Sequence, residues 1–181
     1  MGDWNVVTME RLKEGDPTSR THLYRYFCAR GFVDPEDVVI DAACGSGYGT
    51  ELISKVARKA IGMDRDPNAI KYAMENHKQD NNYFICSNLD QERSFPDCDV
   101  VVSIETLEHL RYPKSFIGKL KMSARKKIFL TTPIVPTKDT DPTHLHDFTE
   151  PEVMKMIVDD NWKNIHVSVQ GIYLLAAFIR I

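Results

Sequence analysis

Residues 38–49 read Val-Val-Ile-Asp-Ala-Ala-Cys-Gly-Ser-Gly-Tyr-Gly, an apolar run that ends in a glycine-rich turn. A near-continuous apolar run is typical of a strand that is buried on both faces of a parallel sheet. Glycines after such a strand let the backbone come close to a ligand. The stretch therefore predicts a ligand site at the carboxyl end of the first strand.

Similar strand-like runs recur along the chain. They cover residues 60–64, 83–86, 100–104, 128–131, 165–169 and 173–179. Helix-like segments separate most of these runs, which favours parallel crossovers, whereas the last two runs predict an antiparallel hairpin. The pattern predicts an α/β fold with a doubly wound, mostly parallel sheet of seven strands whose last strand is antiparallel. We expect one domain, with a helical N-terminal cover over residues 1–34 and a core over 35–181.

The composition is that of an ordinary globular domain, with 43% hydrophobic residues among 181. Lys plus Arg number 23 against 26 for Asp plus Glu, so the net charge of −3 disfavours a nucleic-acid partner. The four cysteines form no C-x-x-C pair, which favours a reducing, cytoplasmic compartment. No apolar run is long enough for a signal peptide or a membrane span, so we expect no membrane partner.

The glycine turn departs from a dinucleotide fingerprint. Such a fingerprint requires G-x-G-x-x-G, but Thr50 stands where its third glycine should fall. Asp64 ends the second predicted strand, where a carboxylate can accept hydrogen bonds from both hydroxyls of a ribose. Asp41, Asp64 and the glycines therefore predict a ligand with an ammonium group and a ribose but no pyrophosphate.

Three stretches together resemble the class I S-adenosylmethionine-dependent methyltransferases. They are Asp41 to Gly49, Ile61-Gly62-Met63-Asp64, and Val101-Val102-Ser103-Ile104-Glu105-Thr106-Leu107-Glu108-His109-Leu110. The family pattern is D-x-G-x-G-x-G, in which Ala43 replaces the first glycine. The resemblance implies an enzyme of the transferase class, a Rossmann-like fold and S-adenosyl-L-methionine as cofactor.

The resemblance also implies which residues bind that cofactor. Asp41, Ala43, Gly45 and Gly47 would line the methionine portion, and Asp64 would hold the ribose. Asn88 takes the place of a family aspartate that faces the adenine amino group, with the Leu89 amide near the ring. Glu105 is a further candidate for the methionine end.

The E-x-x-E-H motif supplies candidate catalytic residues. If a helical turn begins at Glu105, then Glu105, Glu108 and His109 share one face and can hold a divalent cation. Two further candidate histidines follow in Thr143-His144-Leu145-His146-Asp147-Phe148-Thr149. Of these, His144 fits the family position better than His146. The E-x-x-E-H motif together with this histidine stretch resembles the small-RNA 3′-terminal 2′-O-methyltransferases. Ubiquinone-pathway O-methyltransferases share the E-x-x-E-H motif.

Two chemistries are compatible with this motif, beside a purely structural hydrogen-bonded pair. In the first, Mg²⁺ or Mn²⁺ is bound by Glu105, Glu108, His109 and His144. In the second, His144, Glu108 or His109 acts without a metal as a general base.

The expected reaction is O-methylation of a small molecule or of a sugar or glycan hydroxyl, because little chain is left to enclose a large substrate. A nitrogen acceptor stays open. The alternatives are a metal-assisted RNA 3′-terminal 2′-O-methyltransferase, a non-catalytic S-adenosylmethionine-binding regulatory module and a nicotinamide-dependent oxidoreductase.

Overall fold

The structure, a computed structural model, describes residues 8, 13–138 and 140–181. The described strands are β1 (Val38–Ala42), β2 (Lys59–Asp64), β3 (Asn82–Cys86), β4 (Cys98–Ile104), β5 (Ala124–Pro133), β6 (Trp162–Gln170) and β7 (Tyr173–Arg180). The described α-helices are α1 (Pro17–Arg30), α2 (Tyr48–Ser54), α3 (Pro67–Asn76), α4 (Pro113–Ser123) and α5 (Glu150–Ile157). Each predicted strand is present, and β5 and β6 extend furthest beyond their predicted bounds.

The seven strands belong to one sheet with the order β3-β2-β1-β4-β5-β7-β6. The pairs β1–β2, β2–β3 and β4–β5 are parallel, whereas β7 is antiparallel to both β5 and β6. The predicted α/β class and the antiparallel end of the sheet are confirmed. The chain divides into two compact units, residues 1–87 and 88–181, which we describe separately.

The first unit contains β1, β2, β3 and the helices α1, α2 and α3. The strand β1 is almost completely buried, as its apolar run predicts. Helix α3 begins where the side chain of Asp66 accepts a hydrogen bond from the Asn68 amide at 2.8 Å, with Pro67 at the first helical position. The predicted N-terminal cover lies partly in α1 of this unit; residues 1–7 and 9–12 are outside the described residues.

Close packing explains two glycines of the first unit. A Cβ at Gly49 would lie 2.0 Å from the ring of Tyr26, a side chain of α1 that is 1% exposed. A Cβ at Gly62 would lie 2.7 Å from Thr50 Oγ1 and 2.8 Å from Phe84. Any side chain at either position must displace buried neighbours.

The second unit contains β4 to β7, α4 and α5. The chain turns between β6 and β7 at Gly171, whose φ of 61° lies in the left-handed region, as the hairpin prediction requires. Helix α5 begins with a capping box, in which Thr149 and Glu152 each bond to the other's backbone.

The four cysteines are free thiols. Among the described residues, every helix is too short or too polar to cross a membrane.

Candidate active site

The turn after β1 has a left-handed backbone at three positions. These are Ala43 with φ 65°, Gly45 with φ 53° and Gly47 with φ 88°. The amides of Ala43 and Cys44 both donate to the carbonyl oxygen of Met63, at 2.8 and 3.0 Å, so the turn is tied to the end of β2. A left-handed φ costs an alanine more than a glycine, so Ala43, which replaces the family glycine, holds this conformation at a cost.

The predicted methionine-binding residues divide into two groups by exposure. Ala43 and Gly45 are partly exposed, whereas Asp41 and Gly47 are buried. A Cβ at Gly47 would lie 2.5 Å from Ala73 Cβ and 2.8 Å from the Phe84 ring. Gly47 therefore permits close packing of α3 and β3, and a valine there would disturb this packing before it reached a ligand.

Asp64 is held in a fixed position by two backbone amides. Its Oδ2 accepts from Gly45 N at 2.9 Å, and its Oδ1 accepts from Asp66 N at 3.0 Å. A carboxylate oxygen has two lone pairs, so each oxygen keeps the capacity to accept a further hydrogen bond. Because the side chain is partly exposed, it can present both oxygens to a diol.

Asp41 lies beneath the turn, and its side chain is fully buried. Oδ2 accepts from Thr50 Oγ1 at 2.6 Å, and the hydroxyl of Tyr26 donates to Oδ1 at 3.2 Å. Burial raises the pKa of this carboxyl to about 7, although the two hydroxyl donors act in the opposite direction. The sequence did not identify Thr50 or Tyr26 as partners of Asp41.

The raised pKa of Asp41 predicts a pH dependence of stability. The unfolded carboxyl ionises near pH 3.8, but the folded one keeps its proton to about pH 7. The folded state therefore binds the extra proton, and this contribution to the free energy of unfolding decreases by about 2–3 kcal/mol from pH 5 to pH 8. Asp41→Asn should lack this decrease. Urea unfolding of wild type and Asp41→Asn at the two pH values tests this prediction. If the difference in unfolding free energy between the two proteins is the same at both pH values, the raised pKa of Asp41 is contradicted.

The loop after β3 carries Asn88 and Leu89, in the second unit. Asn88 Oδ1 accepts from Asp90 N at 3.1 Å, and the buried Leu89 offers its carbonyl oxygen to Lys119 Nζ. Lys119 also donates to the Glu92 carbonyl at 3.1 Å, and burial lowers its pKa. This buried lysine of α4 anchors the loop, a contact that no motif indicated.

Glu105 has an unusual backbone conformation at the end of β4. Its φ is 48°, and its amide donates to Thr131 O at 3.1 Å and to Thr131 Oγ1 at 3.2 Å. The following turn of 3₁₀ helix begins only at Leu107. The expectation that Glu105 shares a helical face with Glu108 and His109 is therefore not met.

Glu108, His109 and His144 form one cluster. Each offers one possible ligand atom, and these atoms lie within 4.8 Å of one another. The two imidazole rings meet edge to face, with centroids 4.7 Å apart. Three of the four predicted metal ligands are thus brought together, whereas Glu105 does not belong to the group.

Four hydrogen bonds fix the first two members of the cluster. Glu108 is fully buried, and its Oε2 accepts from Thr132 Oγ1 at 3.0 Å. His109 Nδ1 lies 3.1 Å from Thr143 O, so this nitrogen donates and Nε2 is left to accept. The amide of Leu145 donates to Glu108 O at 2.7 Å, and His109 N donates to Thr106 O at 3.1 Å.

His144 is oriented by two residues that the sequence analysis missed. Its Nδ1 lies 2.7 Å from Thr137 Oγ1, and its Nε2 lies 3.5 Å from Asp141 Oδ2. Two hydrogen bonds from Thr143 lower the pKa of Asp141, and the one from the hydroxyl has a larger effect than the one from the amide. The carboxylate of Asp141 therefore stays ionised beside the imidazole. His146 is not in the cluster, because its Nε2 faces Leu110 O at 3.0 Å.

Comparison with known proteins finds similar proteins among methyltransferases. A model described as a methyltransferase domain matches residues 40–127. A probable S-adenosylmethionine-dependent methyltransferase of Mycobacterium tuberculosis strain H37Rv is 28% identical over 145 residues, which are 75% of this chain and 51% of the relative. The chain is similar to the class I S-adenosylmethionine-dependent methyltransferases over this region.

Several solved structures share the fold of this chain. An S-adenosylmethionine-dependent methyltransferase from Mesorhizobium loti has a TM-score of 0.75 at 12% identity, over 86% of this chain and 98% of the other. The N-methyltransferase NodS from Bradyrhizobium japonicum WM9, solved with S-adenosylhomocysteine, has a TM-score of 0.74 at 15% identity, over 91% of this chain and 88% of the other. The chain spans about half the length of the curated relatives it matches.

The strained backbone of Glu105 supports a prediction for this protein. Glu105→Gly removes a left-handed strain of about 1–2 kcal/mol but adds about 0.5–1 kcal/mol of unfolded-state entropy. We expect an unfolding free energy that is unchanged or up to about 1 kcal/mol higher, together with a loss of turnover, because strain of this kind accumulates at functional sites.

The matched control for Glu105→Gly is Ala43→Gly, which relieves a similar strain. Ala43→Gly should change the unfolding free energy by a similar amount and should retain turnover. Urea unfolding and methyl-transfer assays on both variants test this pair. Full activity of Glu105→Gly would show that the carboxylate of Glu105 has no role in the reaction.

Proposed function

We propose that this methyltransferase transfers a methyl group from S-adenosylmethionine to a hydroxyl oxygen of a small molecule or of a sugar or glycan end. The cluster of Glu108, His109 and His144 carries the proposal. A hydroxyl is a poor nucleophile until its proton leaves, so an O-methyltransferase needs a base or a metal ion close to its acceptor. The cluster contains groups suited to either task.

The residues of the first unit fit the cofactor. Asp64 offers two oriented carboxylate oxygens, and Ala43 and Gly45 expose a backbone with little side chain. The carboxylate suits the two hydroxyls of a ribose, and a backbone with small side chains leaves room for the methionine portion of the cofactor. We further propose that Asn88 and Leu89 contact the adenine, as the family pattern implies.

The bound cofactor would supply a methyl group on a sulfonium. Its carbon–sulfur bond would break as the carbon–oxygen bond to the acceptor forms, and the electron pair of the broken bond would stay on sulfur. The hydroxyl proton goes to His144 Nε2, and Asp141 then stabilises the imidazolium that forms. Thr137 holds the ring through Nδ1, and its hydroxyl accepts from this nitrogen when Nε2 is the one that takes the proton.

The same cluster also fits a divalent cation. His109 engages Nδ1 with Thr143 O, which leaves its Nε2 as a ligand atom. His144 could bind an ion through Nε2 if the contact of this nitrogen with Asp141 at 3.5 Å were given up. Two imidazoles and one carboxylate suit Mn²⁺ better than Mg²⁺, because Mg²⁺ prefers oxygen ligands. An ion held here would lower the pKa of an acceptor hydroxyl. This arrangement favours the metal-assisted RNA 3′-terminal 2′-O-methyltransferase as the second candidate function.

An assay of S-adenosylhomocysteine formation tests the proposal. The acceptors are hydroxylated small molecules, sugars and a short RNA with a free terminal 2′-hydroxyl, each paired with its deoxy analogue. Each pair is measured in EDTA and in Mn²⁺. We expect turnover with a small or sugar hydroxyl and none with its deoxy analogue.

Other results of this assay would replace the proposal. Turnover confined to RNA would establish the second candidate. Tight binding of S-adenosylhomocysteine without turnover on any acceptor would indicate a regulatory module. A melting temperature raised by NAD but not by S-adenosylmethionine would indicate an oxidoreductase.

A further inference from the structure

A cavity of about 680 Å³ lies in the second unit. Its size is within the range of small-molecule sites. Residues from the start of α4, the segment before α5 and α5 itself line it, among them Lys114, Phe148, Lys155 and Met156. His146 lines the cavity two residues after His144 of the cluster, and its Nε2 faces the carbonyl oxygen of Leu110, the residue after His109.

The two carboxylates of the cavity wall are already engaged by the chain. Asp147 Oδ1 accepts from the amides of Thr137 and Lys138 at 2.7 and 3.2 Å, and its Oδ2 lies 3.9 Å from Lys138 Nζ. Glu152 Oε2 accepts from Thr149 N and Oγ1 at 2.9 and 2.8 Å, at the positive end of α5. Both negative charges therefore have compensating partners outside the cavity.

The two lysines of the wall have no such partners. Within the described part of the chain, neither Lys114 nor Lys155 forms a hydrogen bond or an ion pair, and both are exposed. Two ammonium groups thus offer six N–H donors toward the cavity and its rim. An anion is the ligand that satisfies this donor set.

The rest of the wall is apolar. Phe148 is 9% exposed, and its ring lies 5.6 Å from that of His146 at an angle of 30°. Met156 is partly buried and adds a polarisable, adaptable side chain. Such a wall accommodates a flat or ring-shaped body next to the charged group.

We propose that this cavity binds the acceptor through an acidic group, so that the substrate is an alcohol carrying a carboxylate or a phosphate monoester on a ring-shaped or apolar body. This inference rests on the proposed methyl transfer to a hydroxyl. It places the acid on Lys114 and Lys155 and directs the hydroxyl toward His144, which precedes His146 by two residues.

Binding can be measured without turnover through the Met156 methyl group. Protein labelled with [methyl-¹³C]methionine is titrated with benzoate, phenyl phosphate and the neutral benzyl alcohol, and Met156→Leu identifies the signal. We expect saturable shifts of the Met156 methyl signal with at least one of the two anions. Tighter binding of benzoate would indicate a carboxylate ligand, and tighter binding of phenyl phosphate would indicate a phosphate ligand. Benzyl alcohol should bind at least tenfold more weakly than that anion.

Charge variants decide the assignment. Lys114→Ser with Lys155→Ser should weaken anion binding at least tenfold and leave benzyl alcohol unchanged. Lys71→Ser with Lys163→Ser removes the same charge from exposed positions outside the cavity and should change nothing. Equal affinity of the wild type for neutral and anionic ligands would overturn the proposal. An anion affinity that is unchanged in the Lys114→Ser and Lys155→Ser double variant would also overturn it.

Kinetics separate this inference from the proposed function. Acid-bearing alcohols should have a lower KM than matched neutral alcohols, and the Lys114 and Lys155 pair of substitutions should abolish that difference without changing the affinity for S-adenosylhomocysteine. Methyl transfer that shows no such preference overturns the acidic-acceptor assignment but keeps the methyltransferase. Anion binding without transfer to any hydroxyl removes the acceptor role of the cavity.

Discussion

Glu108→Gln and His144→Asn are each expected to lower turnover at least about a hundredfold, the size of a lost general base or metal ligand. Both substitutions keep the approximate size of the side chain but remove the charge or the proton-accepting nitrogen. Thr132 can still donate to the side-chain oxygen of a glutamine in place of Glu108, so the fold should persist. Binding of S-adenosylhomocysteine should remain nearly unchanged in both variants.

The double variant and chelation distinguish the two chemistries of the cluster. If Glu108, His109 and His144 hold an ion, EDTA should abolish turnover and the two substitutions should be non-additive, because residues that act through one ion fail together. If His144 is a metal-free base, EDTA should have no effect and the losses should add. Normal turnover in either single variant would remove the cluster from the reaction.

Gly49→Val should have the largest effect on stability. The Cβ alone would overlap the buried Tyr26 ring, and valine adds two methyl groups. Displacing this ring also breaks the contact between Tyr26 and Asp41, so we expect a loss of more than about 3 kcal/mol or failure to fold.

Gly118→Ala is the matched control for this substitution. Gly118 lies in α4, and a Cβ there would meet nothing within 4 Å. Alanine in a helix interior should therefore raise the unfolding free energy by about 0.5–1 kcal/mol. Urea unfolding measures both variants, and a Gly49→Val protein as stable as the wild type would show that α1 does not pack on the turn.

Local patterns in the sequence predicted the sheet and its ends. Apolar runs marked β1, β2 and β4 because strands buried on both faces need no polar alternation, whereas β3 is an edge strand with exposed side chains. The cap at Asp66, the capping box of Thr149 and Glu152 and the turn at Gly171 are likewise local features, since each depends on residues close in sequence.

The missed features depend on residues far apart in the chain. Tyr26 packs where Gly49 has no side chain, Lys119 anchors Leu89, and Thr132 bonds to Glu108. No periodicity encodes such pairs, because each is fixed only when separate elements pack together. The left-handed φ of Glu105 was missed for a related reason, since the E-x-x-E-H spacing alone suggested a helix that begins two residues too early.

Calorimetric titration of S-adenosylhomocysteine into wild type and Asp64→Ala tests the central claim most directly. Loss of two charge-assisted ribose hydrogen bonds should weaken binding by about 2–4 kcal/mol, or roughly 30-fold to 1,000-fold. Asp66→Ala is the control: it removes the cap of α3 at a cost of about 1 kcal/mol in stability and should leave the Kd nearly unchanged. Equal affinity in wild type and Asp64→Ala would contradict the account of the cofactor site.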